Sequence, residues 1–156
     1  MPDLAGNPNI HNPAQFADTL TGSCLCGSVK VTIQDRELFT KRRGHICHCA
    51  NCRKVSGSFA ASNLIIEEEK VEIEDQKGTL TKFVDTLWID ISASAVGSNP
   101  IKSVTPLIEG KVVLKMGIFP RIPAPEIETF GLHRHDWQGL HPGMSQYKIK
   151  ALGEML

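Results

Sequence analysis

Residues 41–54 read KRRGHICHCANCRK, and this stretch holds three of the five cysteines in the chain. The cysteine pattern is C-x-C at residues 24–26 and, after twenty further residues, C-x-C-x-x-C at residues 47–52. An odd number of cysteines disfavours a fully paired disulfide framework. In an extended segment residues i and i+2 share a face, so the sulfurs of Cys47 and Cys49 lie side by side, and the C-x-x-C turn brings Cys52 to them. Three convergent thiolates predict a tetrahedral zinc site.

The surroundings of these cysteines are basic. The segment carries five cationic side chains and no acid: Lys41, Arg42, Arg43, Arg53 and Lys54. Positive charge favours the thiolate form of cysteine and offsets the negative charge of a three-sulfur zinc centre. It would also attract an anionic small molecule. The alternative, that the cysteines are small buried hydrophobes, suits a single cysteine better than a spaced group.

Composition limits the kinds of protein that this chain can be. With 156 residues and 41% hydrophobic residues, it is one domain that can bury a core. Lys+Arg and Asp+Glu both number 17, and a zero net charge argues against a nucleic-acid binder or a polybasic membrane binder. No apolar run approaches the roughly 18 residues of a membrane span, and no secretory signal is visible. We therefore expect a cytoplasmic protein whose cysteines are thiols, thiolates or metal ligands.

Short strand patterns separated by Gly and Pro dominate the chain, and no segment keeps a helical period. These patterns predict a mainly β fold of antiparallel sheets with little helix. We expect an N-terminal arm at residues 1–20, with a short helical segment at 13–19, and a single zinc-binding β domain at 21–156. The predicted strands are residues 28–34, 59–66, 71–73, 80–84, 86–92, 111–117 and 145–150.

Two stretches, TGSCLCGSVKV at 21–31 and HICHCANCRKVSGS at 45–58, resemble the glutathione-dependent formaldehyde-activating enzyme family, also called the centromere protein V family. VVLKMGIF at 112–119, PAPEIET at 123–129 and HRHDW at 133–137 fit it too, and the C-terminal half is most similar to fungal members. The resemblance covers residues 21 to about 150. It implies a tent-like, all-β fold, zinc bound by cysteine, and carbon–sulfur lyase chemistry on the glutathione–formaldehyde adduct.

The same resemblance assigns metal ligands and reveals a departure. Cys47, Cys49 and Cys52 match the catalytic zinc ligands of the family, and Cys24 and Cys26 match half of its structural zinc site. The other half is a second C-x-x-C before Gly-Ser, and here that stretch reads ASAVGS at 93–98, with Ala93 and Val96 at the cysteine positions. Two ligands do not hold a structural zinc, so we expect one zinc per chain. Cys24 and Cys26 are then orphan thiols, or ligands of the remaining ion.

Other side chains are candidates for the chemistry around the zinc. His45, two residues before Cys47 and so on the ligand face, is the preferred general acid or base, whereas His48 should point away. Arg134 is the candidate to clamp a carboxylate of the substrate. His133 and His135, which flank Arg134, are further candidates for the site or else surface residues. Trp88 and Trp137 are candidates to line an apolar pocket, with core packing the alternative that we favour for Trp88.

Three functions fit these residues. The first is a zinc lyase that acts on a small thiol adduct or a carbonyl compound, the partner being an anionic small molecule or a glutathione adduct. The second is a tailoring enzyme of fungal secondary metabolism that uses the same zinc for a lyase, dehydration or hydrolytic step, and it predicts an enlarged apolar cavity. The third is a non-catalytic, zinc-stabilised binding module, which predicts a closed four-sulfur site completed by Cys24 or Cys26.

Overall fold

A computed structural model describes residues 7–84, 89–93 and 100–156. Over these residues the chain forms eleven strands and one α-helix, α1 (Ala50–Ser56), so the predicted mainly β fold with little helix is confirmed. The strands are β1 (Leu20–Ser23), β2 (Val29–Ile33), β3 (Gly44–Cys47), β4 (Ala61–Glu67), β5 (Val71–Asp75), β6 (Leu80–Val84), β7 (Ile89–Ala93), β8 (Pro100–Val104), β9 (Lys111–Lys115), β10 (Pro125–Thr129) and β11 (Ser145–Gln146).

The strands pair into two sheets. The smaller sheet is antiparallel, with the order β1-β2-β5. The larger sheet has the described order β11-β10-β3-β4-β9-β8-β7-β6. It is antiparallel from β3 to β6, whereas β10 runs parallel to both β3 and β11. The prediction of antiparallel sheets therefore holds for most of the fold, and one edge of the larger sheet is mixed.

One core cluster joins the two sheets. Strand β2 alternates buried and more exposed residues, and its inward side chains meet those of β4 and β9, such as Leu64 and Leu114. Successive side chains of a strand point to opposite faces of the sheet. The residues next to these core side chains, such as Asn63 and Val113, therefore lie on the outer face of the larger sheet. That outer face forms the floor of the candidate site.

Helix α1 is short because both of its ends are specified by local chemistry. Cys49 is the N-cap, and its Sγ accepts a hydrogen bond from the backbone N–H of Cys52 at 3.3 Å. Gly57 closes the helix at a φ of 60°, a left-handed conformation that favours glycine. The segment that the sequence predicts as a C-x-x-C turn is thus the first turn of α1.

Residues 7–19, part of the predicted arm, lie against the β domain. Phe16 packs on Phe39 with 5.8 Å between ring centroids, and Arg121 donates a hydrogen bond to the carbonyl of Pro8 at 3.0 Å. The predicted helical segment is a 3-10 helix at Pro13–Phe16.

Asp35, which is buried, links the end of β2 to the start of β3. Its carboxylate forms an ion pair with Arg43, lies 3.4 Å from Lys70 Nζ, and accepts the backbone N–H of Glu37 at 2.9 Å. Burial raises the pKa of Asp35, but the hydrogen bond from Glu37 and the charges of Arg43 and Lys70 outweigh it and hold the pKa below its usual value.

We expect Asp35→Asn to lower the free energy of unfolding by about 2–3 kcal/mol at neutral pH, because Arg43 loses its charged partner. Since the folded pKa is depressed, this stabilisation is present above the unfolded pKa of about 4 and is lost as the pH falls through the folded value. Urea unfolding at a series of pH values checks this prediction. The variant should lose less stability in acid than the parent chain, and Glu72→Gln, an exposed change on β5, should match the parent.

Candidate active site

Three cysteine sulfurs converge at the end of β3 and the start of α1. The Sγ atoms of Cys47, Cys49 and Cys52 all lie within 4.8 Å of one another. Cys47 is buried as the last residue of β3, while Cys49 and Cys52 are half-buried. Among the described residues no fourth His, Cys, Asp or Glu atom joins this group. The donor set of three sulfurs fits a zinc ion and leaves one ligand position that this group does not fill.

Hydrogen bonds among the three thiols set their charge. The thiols of Cys47 and Cys52 donate toward Cys49, and these contacts lower the pKa of Cys49 to about 2. The contact with Cys49 raises the pKa of Cys47, and the contacts with Cys47 and Cys49 raise the pKa of Cys52. The trio therefore favours negative charge on sulfur, and a soft divalent cation would displace the remaining thiol protons.

A cavity of about 790 Å³ opens beside the sulfurs. Its floor is the outer face of the larger sheet, where His45 pairs across to Asn63, and Asn63 pairs across to Lys115. A second row of cross-strand neighbours continues away from the sulfurs and combines apolar and polar side chains. That row is Ile65, Val113, Ser103, Asp90 and Phe83. The walls come from α1 and from residues 129–133 and 150–151.

His45 lies in the cavity, as its spacing from Cys47 predicts. Its Nε2 is 2.7 Å from Thr129 Oγ1, and its Nδ1 is buried without a hydrogen-bond partner among the described residues. Burial, followed by the positive charge of Lys115, lowers the pKa of His45 to about 4. The imidazole is therefore neutral at physiological pH and presents one donor and one acceptor nitrogen.

The five cationic side chains of the basic stretch were expected to stabilise the thiolates, but three of them bind other partners. Arg43 is bound to Asp35, Lys41 is paired with Glu37 at 3.0 Å, and Arg42 donates to a backbone carbonyl. Lys54 alone of the five lines the cavity within the described residues. Instead, Lys115 on β9 supplies positive charge that acts on both Cys52 and His45. The sequence did not single out Lys115, although its alternation with the core residue Leu114 places it on the outer face.

His48 points away from the trio, in agreement with the alternation of an extended segment. It is fully buried, and its Nε2 is 2.6 Å from Glu128 Oε1. The Glu128 carboxylate also lies 3.1 Å from His141 Nδ1 and accepts from Arg134 at 2.9 Å. Burial raises the pKa of Glu128, but these hydrogen bonds and the charge of Arg134 outweigh it and lower the pKa. Ligand atoms of His48, Glu128 and His141 also lie within 4.8 Å of one another, close enough to hold a metal ion. The ion pair with Arg134, however, already balances the charge of the Glu128 carboxylate.

Arg134 is therefore not placed to clamp a substrate. Its side chain is nine-tenths buried against Glu128, and it is not among the residues that line the cavity. The physical reason is that a buried carboxylate requires a cationic partner. Arg134 donates to the carboxylate of Glu128, on β10, at 2.9 Å.

Cys24 and Cys26 form a separate thiol pair. Their sulfurs are 3.3 Å apart, and Cys26 Sγ lies 2.9 Å from Ser28 Oγ. Burial raises the pKa of Cys24, but hydrogen bonds from the Val29 backbone, Cys26 and Ser28 outweigh it and lower the pKa to about 7. The pair sits in the turn after β1 rather than in a strand, and neither sulfur belongs to the trio. The backbone of Ala93 pairs with Leu80, whereas Val96 lies outside the described residues.

The remaining candidates lie at the rim or the surface. His133 lines the cavity and is exposed. His135 stacks on Trp137 with 5.7 Å between ring centroids, and Trp137 contacts Phe59 rather than the cavity. Trp88 lies outside the described residues. In the described part of the chain no helix has the length and apolar character needed to cross a membrane.

Comparison with known proteins identifies relatives of this fold. A family model described as "Glutathione-dependent formaldehyde-activating enzyme" matches residues 19–130, most of the chain. No curated protein gives a significant match. A crystal structure of a Rhodobacter sphaeroides protein from a structural genomics programme superposes with a TM-score of 0.52 at 12% identity, over 82% of this chain and 99% of that chain. That similarity shows a shared fold.

Proposed function

Since this chain belongs to the glutathione-dependent formaldehyde-activating enzyme family, we propose that it is a zinc-dependent enzyme of the lyase type. The proposed reaction makes or breaks the carbon–sulfur bond of an adduct between a thiol and a carbonyl compound. In the forward direction the thiol sulfur bonds to the carbonyl carbon and the thiol proton ends on the carbonyl oxygen. The reverse direction returns the proton to sulfur and releases both molecules.

The observation that carries this proposal is the position of the sulfur trio. Cys47, Cys49 and Cys52 converge at one end of a cavity large enough for a small molecule, and the described residues offer no fourth ligand to their group. A site with three protein ligands and an open position is typical of catalytic rather than structural zinc. The closed four-sulfur module is not favoured, because Cys24 and Cys26 are not part of the group.

The roles of the cavity residues follow from their places. Zinc held by the three sulfurs would supply Lewis-acid polarisation of the substrate's oxygen or sulfur. We assign His45 to hold the reacting hydroxyl by a hydrogen bond, because its ring lies on the cavity floor and Thr129 fixes its orientation at 2.7 Å. The apolar side chains around the cavity limit the access of water to the adduct.

The apolar side chains on the cavity floor also support a second candidate, a tailoring enzyme that performs the lyase, dehydration or hydrolytic step on a larger apolar molecule. Ile65, Val113 and Phe83 extend the cavity well beyond the sulfurs. Either enzyme would work in a reducing compartment such as the cytoplasm, where the five free cysteines stay thiols or thiolates.

The test uses the full chain as purified. Zinc per chain is counted, and thiol–aldehyde mixtures are followed by NMR exchange spectroscopy, first with glutathione and formaldehyde and then with apolar thiols and aldehydes. We expect the protein to speed carbon–sulfur exchange, and chelation of the metal to abolish that effect. Preference for the apolar pairs would favour the tailoring enzyme. A zinc-loaded protein that speeds none of these exchanges, nor dehydration or hydrolysis of the adducts, contradicts the proposed function.

A further inference from the structure

Lys115 is the one cation that rises from the described floor of the cavity near the sulfurs. It is half-buried, its cross-strand neighbour is Asn63, and its charge acts on His45 and Cys52. The other cavity lysines, Lys54 and Lys150, are exposed.

The ammonium of Lys115 has a neutral partner. Lys115 Nζ donates to Asn63 Oδ1 at 3.1 Å, and no carboxylate among the described residues lies within ion-pair distance of it. Asn63 is itself buried, so this contact fixes the amine above the floor. A partly buried cation whose hydrogen-bond partner is a neutral amide favours an anionic ligand, because a charge-assisted hydrogen bond is about twice as strong as a neutral one.

The floor beyond Lys115 combines apolar side chains with one hydrogen-bonded polar pair. Ile65, Val113 and Phe83 present apolar surface. The one carboxylate that lines the described cavity belongs to Asp90, and it accepts a hydrogen bond from Ser103. The row beyond Lys115 therefore offers apolar contact together with one carboxylate and one hydroxyl that are hydrogen-bonded to each other.

From this arrangement we propose that Lys115 binds an anionic oxygen of the substrate, and that the rest of the substrate is apolar and lies along Ile65, Val113 and Phe83. This deepens the proposed function, on which it rests, by assigning the substrate class of the same cavity. Lys115 is a specificity-determining residue: it selects a small apolar carboxylate or enolate over an uncharged molecule of the same shape.

The test is isothermal titration calorimetry of the full chain with three probes: 4-phenylbutyrate, 4-phenylbutanol and acetate. We expect 4-phenylbutyrate to bind about tenfold or more tightly than the alcohol, which has the same apolar part but no carboxylate. Acetate should bind more weakly still, since each buried CH₂ contributes roughly threefold to fourfold in affinity.

Variants on β9 separate the role of Lys115 from general charge. Lys115→Met should remove the preference for 4-phenylbutyrate over 4-phenylbutanol, and Lys115→Arg should keep most of it. Lys111→Met is the matched control, because Lys111 lies on the same strand but is exposed and outside the cavity. It should leave the preference unchanged.

Two outcomes would overturn the assignment. One is equal binding of the charged and uncharged probes. The other is an unchanged preference for 4-phenylbutyrate in Lys115→Met. If the zinc content of that variant also falls, Lys115 would belong to the metal centre alone. The measurement is separate from turnover: if no exchange is catalysed but the Lys115-dependent preference persists, the lyase proposal fails while the ligand site stands.

Discussion

Replacing Cys49 by serine is expected to remove zinc from the protein while leaving the fold intact. Serine is a good N-cap, so its hydroxyl replaces the sulfur that accepts the Cys52 N–H at the start of α1. A hydroxyl does not supply the soft thiolate that zinc prefers. Contacts with Cys47 and Cys52 lower the pKa of Cys49 to about 2, so this sulfur is the most readily deprotonated of the three thiolates that would hold zinc. Zinc affinity should therefore fall by more than the roughly 10- to 100-fold that loss of an outer hydrogen-bond partner costs.

The matched control is Cys26→Ser, which removes an exposed sulfur from the separate thiol pair. Zinc per chain is measured by mass spectrometry and the number of sulfur ligands by X-ray absorption. We expect one zinc with three sulfurs in the parent chain and in Cys26→Ser, and almost none in Cys49→Ser. Full zinc content in Cys49→Ser would contradict the metal site, and zinc loss in Cys26→Ser would mean that the two cysteine groups share one ion.

The sulfur trio could be predicted from the sequence because its geometry is local. Cys47, Cys49 and Cys52 lie within six residues, so one strand end and one helical turn bring the sulfurs together. The opposite direction of His48 follows from the same alternation. Strand β2 could be predicted equally well, because apolar and polar residues alternate clearly along it.

The cavity could not be predicted, because the centres of β4 and β9 carry apolar residues on both faces. The runs NLII at 63–66 and VVL at 112–114 show no alternation that separates the core face from the cavity face. That choice depends on the pairing of β4 with β9, which are far apart in the sequence. The role of Lys115 therefore became visible only once the register was known.

The basic stretch illustrates a second limit. A sequence shows that Arg42 and Arg43 are close to the cysteines along the chain, but not which partners they meet. Arg43 turns to Asp35, eight residues earlier, and Arg42 to the backbone of β10. Arg134 shows the same limit: the sequence predicts that it binds a substrate carboxylate, whereas in the structure it forms an ion pair with the buried carboxylate of Glu128.

The second large effect is expected for Glu128→Gln, which should lower the free energy of unfolding by about 3–5 kcal/mol. Glu128 is fully buried and accepts from His48, His141 and Arg134. An amide offers one acceptor oxygen and no charge, so Arg134 is left as an uncompensated, mostly buried cation. For a chain of this size the midpoint of thermal unfolding should fall by roughly 10 °C. Because the pKa of Glu128 is lowered by its partners, the parent chain loses this stabilisation only as the pH falls through that depressed value.

Glu126→Gln is the matched control for this change, because Glu126 is exposed and two residues earlier on β10. Its stability should stay within about 0.5 kcal/mol of the parent.

Arg134→Gln tests the same ion pair from the other side: it should destabilise the protein much as Glu128→Gln does and leave the affinity for 4-phenylbutyrate unchanged. A stable Arg134→Gln variant with weakened binding of that probe would instead restore Arg134 to the substrate site. His48 lies between two of the zinc ligands in the sequence, so loss of its Glu128 partner should also weaken zinc binding by roughly 10- to 100-fold, whereas Glu126→Gln should not.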